Sequence, residues 1–166
     1  VVDARTGEGI ADAMVVFLWD RNETDFGHAS RTTCYRVEMT RTDSQGRYAL
    51  PSWNGRMPMI ASIFKKGLVE DSDPIALSKG LHGMKKGSAD TSKRIEELGR
   101  ALVQCNDTED KKLLGLYEAI YDDGRSVAKS PQEKRLVDRY FLSPLDTVRY
   151  GGDEARRRAH QREIER

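Results

Sequence analysis

The hydrophobic pattern of this chain changes its period near residue 70, and this change limits the folds that the chain can adopt. Before that point, apolar residues form short runs of strand length that are separated by turn residues. After it, apolar residues recur every three or four positions, as on one face of a helix. Strands followed by helices are typical of α+β folds. We therefore predict an α+β chain: an N-terminal antiparallel β-sandwich with a C-terminal three-helix region packed on it.

The β-part is predicted to contain strands at residues 1–4, 13–19, 34–42, 47–53 and 59–64. Residues 43–46 read Asp-Ser-Gln-Gly, which favours a tight turn, because Asp accepts hydrogen bonds from the following backbone and Gly tolerates positive φ. This turn predicts that strand 47–53 pairs with strand 34–42. Residues 21–33 are expected to form a long loop.

The strand at residues 13–19 is apolar on both of its faces. Met14, Val16 and Leu18 lie on one side, while Val15, Phe17 and Trp19 lie on the other. A strand of an antiparallel sheet that faces water on one side should alternate instead. We therefore expect the downstream helices to cover the second face of the sheet.

The helical part is predicted to begin after a Gly- and Ser-rich connector at residues 71–87. The first helix is expected at 91–105 and the second at 109–129, each with one apolar stripe. Ser130, Pro131 and Glu133 predict a capping box at the start of the third helix. The domain division is therefore 1–70 for the sandwich, 71–87 for a mobile connector, 88–150 for the helices and 151–166 for a polar helical or frayed tail.

Two segments of the β-part carry a resemblance to a known family. Residues 2–15 read VDARTGEGIADAMV, and residues 42–51 read TDSQGRYALP. They resemble the opening and the hairpin of the carboxypeptidase regulatory-like domain, with Gly9 and Asp12 as departures from its pattern. The resemblance covers residues 1–69 and implies a prealbumin-like β-sandwich with Greek-key connections. It also implies an accessory module of an extracytoplasmic protein, with no catalytic residues of its own.

The charge balance argues against some classes of partner. The chain carries 28 Lys and Arg residues against 27 Asp and Glu residues, so its formal net charge is +1. Nucleic-acid binding calls for a basic face, which this balance does not favour. No apolar run reaches the roughly 20 residues of a membrane-spanning helix. We expect no nucleic-acid partner and no transmembrane segment. A signal sequence or lipid anchor on a preceding segment stays compatible with this expectation.

The two cysteines allow two interpretations. Cys34 lies on the polar side of its predicted strand, and Cys105 continues the apolar stripe of the first helix. If that helix covers the outer face of the sheet, the two sulfur atoms can meet in a disulfide, which would indicate an oxidising compartment. Two separate buried thiols are the alternative.

No residue cluster predicts catalysis, a metal site or a cofactor site. His28, His82 and His160 lack the spacing of metal ligands, and no phosphate-binding loop or nucleophile motif is present. The long loop at 21–33 is the strongest candidate for a binding surface, because long loops in small domains are often functional. Its candidate partner-contact residues are Asp25, Phe26 and His28.

These features predict a binding protein rather than an enzyme. The expected function is a non-catalytic, extracytoplasmic binding module with a protein partner, in the bacterial periplasm or envelope. It could act as an inhibitor, an immunity protein or a scaffolding lipoprotein. The alternative is a carbohydrate-binding accessory domain, for which Trp19, Tyr48 and Trp53 are the aromatic residues that could form a platform.

Overall fold

The computed structural model describes residues 1–24, 30–71 and 80–164, with the backbone alone for 22–24, 30–32, 107 and 163–164. This part of the chain is a mixed α+β structure. Its strands form two three-stranded sheets. The strands are β1 (Val2–Asp3), β2 (Met14–Thr24), β3 (Ser30–Arg41), β4 (Met59–Phe64), β5 (Leu68–Asp71) and β6 (Gly83–Lys86).

The larger sheet is antiparallel and has the order β3-β2-β4, so β2 is its central strand. The smaller sheet has the order β1-β6-β5, with β6 parallel to β1 and antiparallel to β5. The predicted strands at 13–19, 34–42 and 59–64 are therefore confirmed.

The strand predicted at residues 47–53 is wrong. The turn before it does form: Asp43 Oδ1 accepts hydrogen bonds from the amides of Gln45 and Arg47, and Gly46 has a φ of +73°. The chain then runs across the face of the larger sheet instead of joining its ladder. The ring of Tyr48 packs 5.9 Å from that of Phe17. The apolar residues of this segment thus cover a sheet and do not extend one.

Two predicted irregular segments contain strands. Most of the expected loop at 21–33 belongs to β2 and β3, which pair from Thr24 and Ser30 inward. The end of the expected connector at 71–87 is β6, the middle strand of the smaller sheet. Residues 72–79 of that connector lie outside the described residues.

The helices follow residue 90. They are α1 (Thr91–Gly99), α2 (Asp107–Asp110), α3 (Leu114–Val127), α4 (Pro131–Val137), α5 (Ser143–Tyr150) and α6 (Gly152–Ile164). A 3₁₀ turn at Lys111–Leu113 leads into α3, and a π-helical turn at Asp138–Leu142 joins α4 to α5. The predicted capping box is confirmed, since Ser130 Oγ accepts from the Glu133 amide and Glu133 accepts from the Ser130 amide. The polar tail is helical, and Ala155 of α6 is buried.

The first helix is shorter than predicted. It ends at Gly99, whereas the apolar stripe suggested an end near Cys105. Asn106 caps α2 by accepting from the amides of Thr108 and Glu109, and this cap requires an extended backbone at Asn106. The chain must therefore leave the helix before residue 106.

The two faces of β2 lie in two different cores, as the two-sided pattern predicted. Met14 and Val16 belong to a core that the larger sheet shares with the helices, and we call this the helix-facing side. Val15, Phe17 and Trp19 belong to a core with Met84 of the smaller sheet, which we call the sheet-facing side. Full burial of each such side chain contributes about 1.5–3 kcal/mol. The helices therefore share a core with the larger sheet.

A buried ion pair links the helical part to the sheets. Arg94 of α1 and Asp123 of α3 are both about 1% exposed, and their side chains meet at 2.5 Å. Asp123 also accepts a hydrogen bond from the Gly67 amide, and Arg94 donates to the Leu68 carbonyl. These bonds hold the turn between β4 and β5 against the helices. A side chain at Gly87 would collide with the Arg94 guanidinium.

Candidate functional site

The candidate partner-contact residues Asp25, Phe26 and His28 lie outside the described residues. What the structure does show is how the paired strands β2 and β3 are presented. β4 pairs with β2 only from Met14 to Leu18, whereas β3 pairs with β2 as far as Thr24. Beyond Leu18 the larger sheet is therefore a two-stranded ribbon that projects past its third strand.

A β-bulge at the base of this ribbon sets which side chains face which core. Trp19 pairs with Arg36 and Asp20 pairs with Cys34, so Tyr35 has no partner in the ladder. The extra residue reverses the alternation. Tyr35 and Arg36 consequently both lie on the sheet-facing side, while Cys34 turns to the helix-facing side.

The bulge explains how the predicted disulfide forms. Cys34 and Cys105 form a disulfide with their Cα atoms 5.0 Å apart, so neither residue is a free thiol. Strict alternation would have pointed Cys34 away from Val37 and Met39, which pack against the helices. The prediction of the disulfide is confirmed, but Cys34 reaches the helices because of the bulge and not because the helices cover a polar face.

On the sheet-facing side, the bulge places an arginine among aromatic rings. The Arg36 guanidinium lies 5.6 Å from the Trp19 ring centroid and 5.1 Å from the Trp53 ring centroid. Tyr35 packs on Trp53 at 5.5 Å, and Arg21 lies 5.6 Å over the Tyr35 ring. We call these five residues the aromatic–arginine cluster. Such cation–π stacks hold an arginine in a fixed orientation.

The cluster keeps hydrogen-bonding capacity. Arg36 forms an ion pair with Glu38, and its side chain is 30% exposed. Among the described residues, however, Arg36 Nε and the Tyr35 hydroxyl have no hydrogen-bond partner although both atoms are buried. Buried polar atoms of this kind usually find partners in water or in a bound molecule.

An exposed apolar loop adjoins the cluster. Leu50 is 44% exposed, Met57 73% and Met59 56%. The loop is anchored by a hydrogen bond from Trp19 Nε1 to the Arg56 carbonyl. Methionine side chains adapt readily to different partners, which makes them common on binding surfaces. We call residues 50–58 the methionine loop. Met59 begins β4, and because it lies opposite Leu18 in the ladder, its side chain is on the helix-facing side.

The pattern of the methionine loop contains a signal that the sequence analysis missed. Asn54 and Gly55 both have positive φ, and Trp53 and Arg56 form a bridge across them. An Asn-Gly pair is a strong indication of a tight hairpin turn. It marks residues 53–56 as the tip of a loop and argues against a strand that continues through Trp53.

The aromatic residues proposed as a carbohydrate platform are only partly available. Trp19 is 2% exposed, so its ring is covered. Tyr48 and Trp53 are half-buried, and one side of Trp53 is occupied by Arg36 and Tyr35. A flat platform for a sugar ring needs exposed faces, and the cluster offers at most part of Trp53.

Within residues 1–24, 30–71 and 80–164, no group of three or more His, Cys, Asp or Glu side chains is placed to hold a metal ion. None of the helices in these ranges combines the length and the hydropathy needed to cross a membrane. His82 lies 3.3 Å from Glu70, and Asp71 is paired with Lys85.

Comparisons with known proteins gave no match: no protein-family model fits the chain, and no curated protein or solved structure is significantly similar to it.

Proposed function

We propose that this chain is a non-catalytic, extracytoplasmic binding module that docks a protein partner on the aromatic–arginine cluster and the methionine loop. The observation that carries the proposal is the exposure of Leu50 and Met57 in the loop whose Arg56 carbonyl accepts a hydrogen bond from Trp19 of the cluster. Apolar side chains that stay exposed together on a folded domain mark interaction surfaces. Trp, Tyr, Arg and Met are also the residue types enriched at the centres of protein interfaces.

The charge around this surface suggests the character of the partner. Residues 44–69 contain no Asp or Glu, and both Arg47 and Arg56 are exposed. A partner with an apolar centre and an acidic rim would complement them. The projecting ribbon would add contacts through the predicted residues Asp25, Phe26 and His28.

The finer fold and the location form part of the proposal. The two sheets lie on either side of the core that contains Val15, Phe17 and Met84, and this supports a prealbumin-like β-sandwich. The disulfide between Cys34 and Cys105 supports an oxidising compartment such as the bacterial periplasm or envelope. An inhibitor, an immunity protein and a scaffolding lipoprotein are versions of the same function, and the identity of the partner would distinguish them.

The test is a quantitative pull-down from the native envelope with three forms of the protein. The first is the native chain, and the second carries Met57→Glu. The third carries Tyr140→Glu, which adds a charge at an apolar side chain of similar exposure on the helical part. We expect one stoichiometric protein partner that the first and third forms retain and the second loses.

Equal recovery of that partner by the second and third forms would exclude the methionine loop as the interface. Binding of envelope glycans without a protein partner, lost on Trp53→Ala, would favour the carbohydrate-binding alternative.

A further inference from the structure

A second surface of the molecule concentrates positive charge. An open cavity of about 550 Å³ lies where the smaller sheet meets the turn between β4 and β5. Arg5, Lys66, Lys85 and Lys86 line it, together with one carboxylate, that of Asp3. Its volume lies within the range of small-molecule sites. Leu68 is the one apolar side chain among the residues that line it.

The strand register brings these cations together from three distant parts of the sequence. In the β5–β6 pair, Leu68 lies opposite Lys86, which places Lys66 of the preceding turn near this end of β6. On the other side of β6, the Ala4 amide donates to the Met84 carbonyl, and Arg5 follows directly. The smaller sheet and the turn before β5 therefore gather charges that the sequence separates into Arg5, Lys66 and the pair Lys85-Lys86.

Most of these charges are not neutralised by the protein. Arg5, Lys66 and Lys86 are exposed and form no ion pair with any described residue. Lys85 pairs with Asp71 at 2.6 Å and is still 59% exposed. Lys65 differs from its neighbour Lys66, because it approaches Asp12 instead of the cavity.

The single carboxylate of the cavity is already engaged. Asp3 Oδ1 accepts hydrogen bonds from the amides of Arg5 and Thr6, each at 2.9 Å. These bonds hold the Asp3 side chain to its own turn. It is therefore less able to pair with the lysines on the facing strands, and the cavity retains an excess of positive charge.

We propose that this cavity binds a phosphate group with at least two negative charges, carried either by a soluble phosphorylated molecule or by an anionic lipid headgroup. Lysine and arginine side chains bind phosphate oxygens through charge-assisted hydrogen bonds. A phosphomonoester carries about −1.5 to −2 at neutral pH, which several converging cations can balance. The site is separate from the protein-binding surface, and it does not depend on that function.

The test uses inorganic tripolyphosphate as the probe, titrated calorimetrically at low ionic strength. The cavity variant carries Lys66→Gln with Lys86→Gln. The matched control carries Lys111→Gln with Lys134→Gln, which removes the same charge from two exposed lysines of the helical part that have no ion pair with described residues. We expect the affinity to fall by roughly tenfold or more in the cavity variant, and by less than about twofold in the control.

A second arm distinguishes the two sources of phosphate. The same three proteins are sedimented with phosphatidylcholine vesicles that contain phosphatidic acid, a phosphomonoester lipid, and with phosphatidylcholine vesicles alone. Binding to the anionic vesicles that only the cavity variant loses assigns a headgroup, while tripolyphosphate binding without vesicle binding assigns a soluble ligand. Equal losses in the cavity variant and the control, or no binding of either probe by the native chain, would overturn the proposal. All four lysines are exposed, so unfolding of a variant is checked by its thermal midpoint.

Discussion

The two faces of the central strand β2 differ in what covers them and in how the covering elements are attached. On the helix-facing side, the disulfide between Cys34 and Cys105 and the buried pair of Arg94 and Asp123 tie the sheets to the helices. On the sheet-facing side, the core is smaller and ends at the aromatic–arginine cluster and the exposed methionine loop. The comparison teaches that one side of this sheet is closed by a disulfide and a buried ion pair, and that the other leaves apolar surface exposed.

The edge of the larger sheet shows the same difference. An exposed strand edge invites unwanted pairing with other chains. Along β3, the segment before α3 covers this edge, since Glu109 accepts a hydrogen bond from the Val37 amide at 2.8 Å. The neighbouring Lys112 amine and the Val37 amide lower the pKa of Glu109 against the opposing effect of burial, so it stays an acceptor at neutral pH. The helical part thus protects β3 as well as the core.

The largest effect is expected from breaking the buried ion pair. Asp123→Ala removes the carboxylate that pairs with Arg94, and it also removes the acceptor of the Gly67 amide. Removing one partner of a buried pair costs about 3–5 kcal/mol, because the other charge stays buried. We expect this loss in the free energy of unfolding measured with urea. The double change Arg94→Met with Asp123→Leu should lose clearly less, and equal losses would argue that the charge itself does not matter.

The next largest effect is expected from the disulfide. The bond joins residues that are 71 positions apart, and the chain between them contains the rest of β3, strands β4 to β6 and α1. For a loop of this length the chain-entropy model gives a stabilisation of up to about 4 kcal/mol. Cys34→Ser with Cys105→Ser should lower the free energy of unfolding toward that limit. The same variant under reducing conditions is the control, since the reductant should then change nothing while it destabilises the native chain.

The disulfide also shows where sequence reasoning succeeds and where it stops. The stripe position of Cys105 favours a disulfide with Cys34, but the sequence leaves two separate thiols as an alternative, and only the structure decides between them. The bulge at Tyr35 could not be predicted, because an extra residue in a ladder depends on the partner strand and not on the local pattern. Residues 47–53 were mistaken for a strand for a related reason: Tyr48 and Trp53 pack over a sheet, and such packing produces apolar residues without a ladder.

The site was predictable only in part. The sequence predicts a long loop at residues 21–33 as the binding surface, whereas the structure assigns most of it to strands β2 and β3 and shows exposed apolar residues near their base. The cavity lined by Arg5, Lys66 and Lys86 was not foreseen, because the residues come from separate strands and only the register of the smaller sheet joins them. Convergence of this kind is a property of topology, which local sequence patterns do not encode.

A smaller effect on stability is expected from a substitution at Trp53, on the sheet-facing side of β2. Trp53 is half-buried, and its contacts are one aromatic pair with Tyr35 and one cation–π contact with Arg36. Trp53→Ala should lower the free energy of unfolding by roughly 1–2 kcal/mol. Trp19→Ala is the matched comparison, because Trp19 contacts the same arginine but is fully buried, and it should cost about 3–5 kcal/mol. Similar losses for both tryptophans would mean that Trp53 is packed as well as Trp19, which would contradict the description of the sheet-facing side as the more open one.

The smallest effect concerns pH and lies within the helical part. The Ser130 amide, the Thr91 hydroxyl and the Lys129 amide all donate to Glu133, and they lower its pKa from 4.5 to about 2. A carboxyl whose pKa is lower in the folded state stabilises the protein above its unfolded pKa, and this contribution is lost as the pH falls toward the folded value. Thermal midpoints of the native chain and Glu133→Gln should therefore differ at pH 7, and they should converge between about pH 4.5 and pH 2.

The control is Glu96→Gln, which removes an exposed ion pair with Arg100 and should change the midpoint little at either pH. A difference for Glu133→Gln that persists unchanged at pH 2 would show that its role is steric, and that the link between α1 and α4 does not rest on the ionised carboxylate.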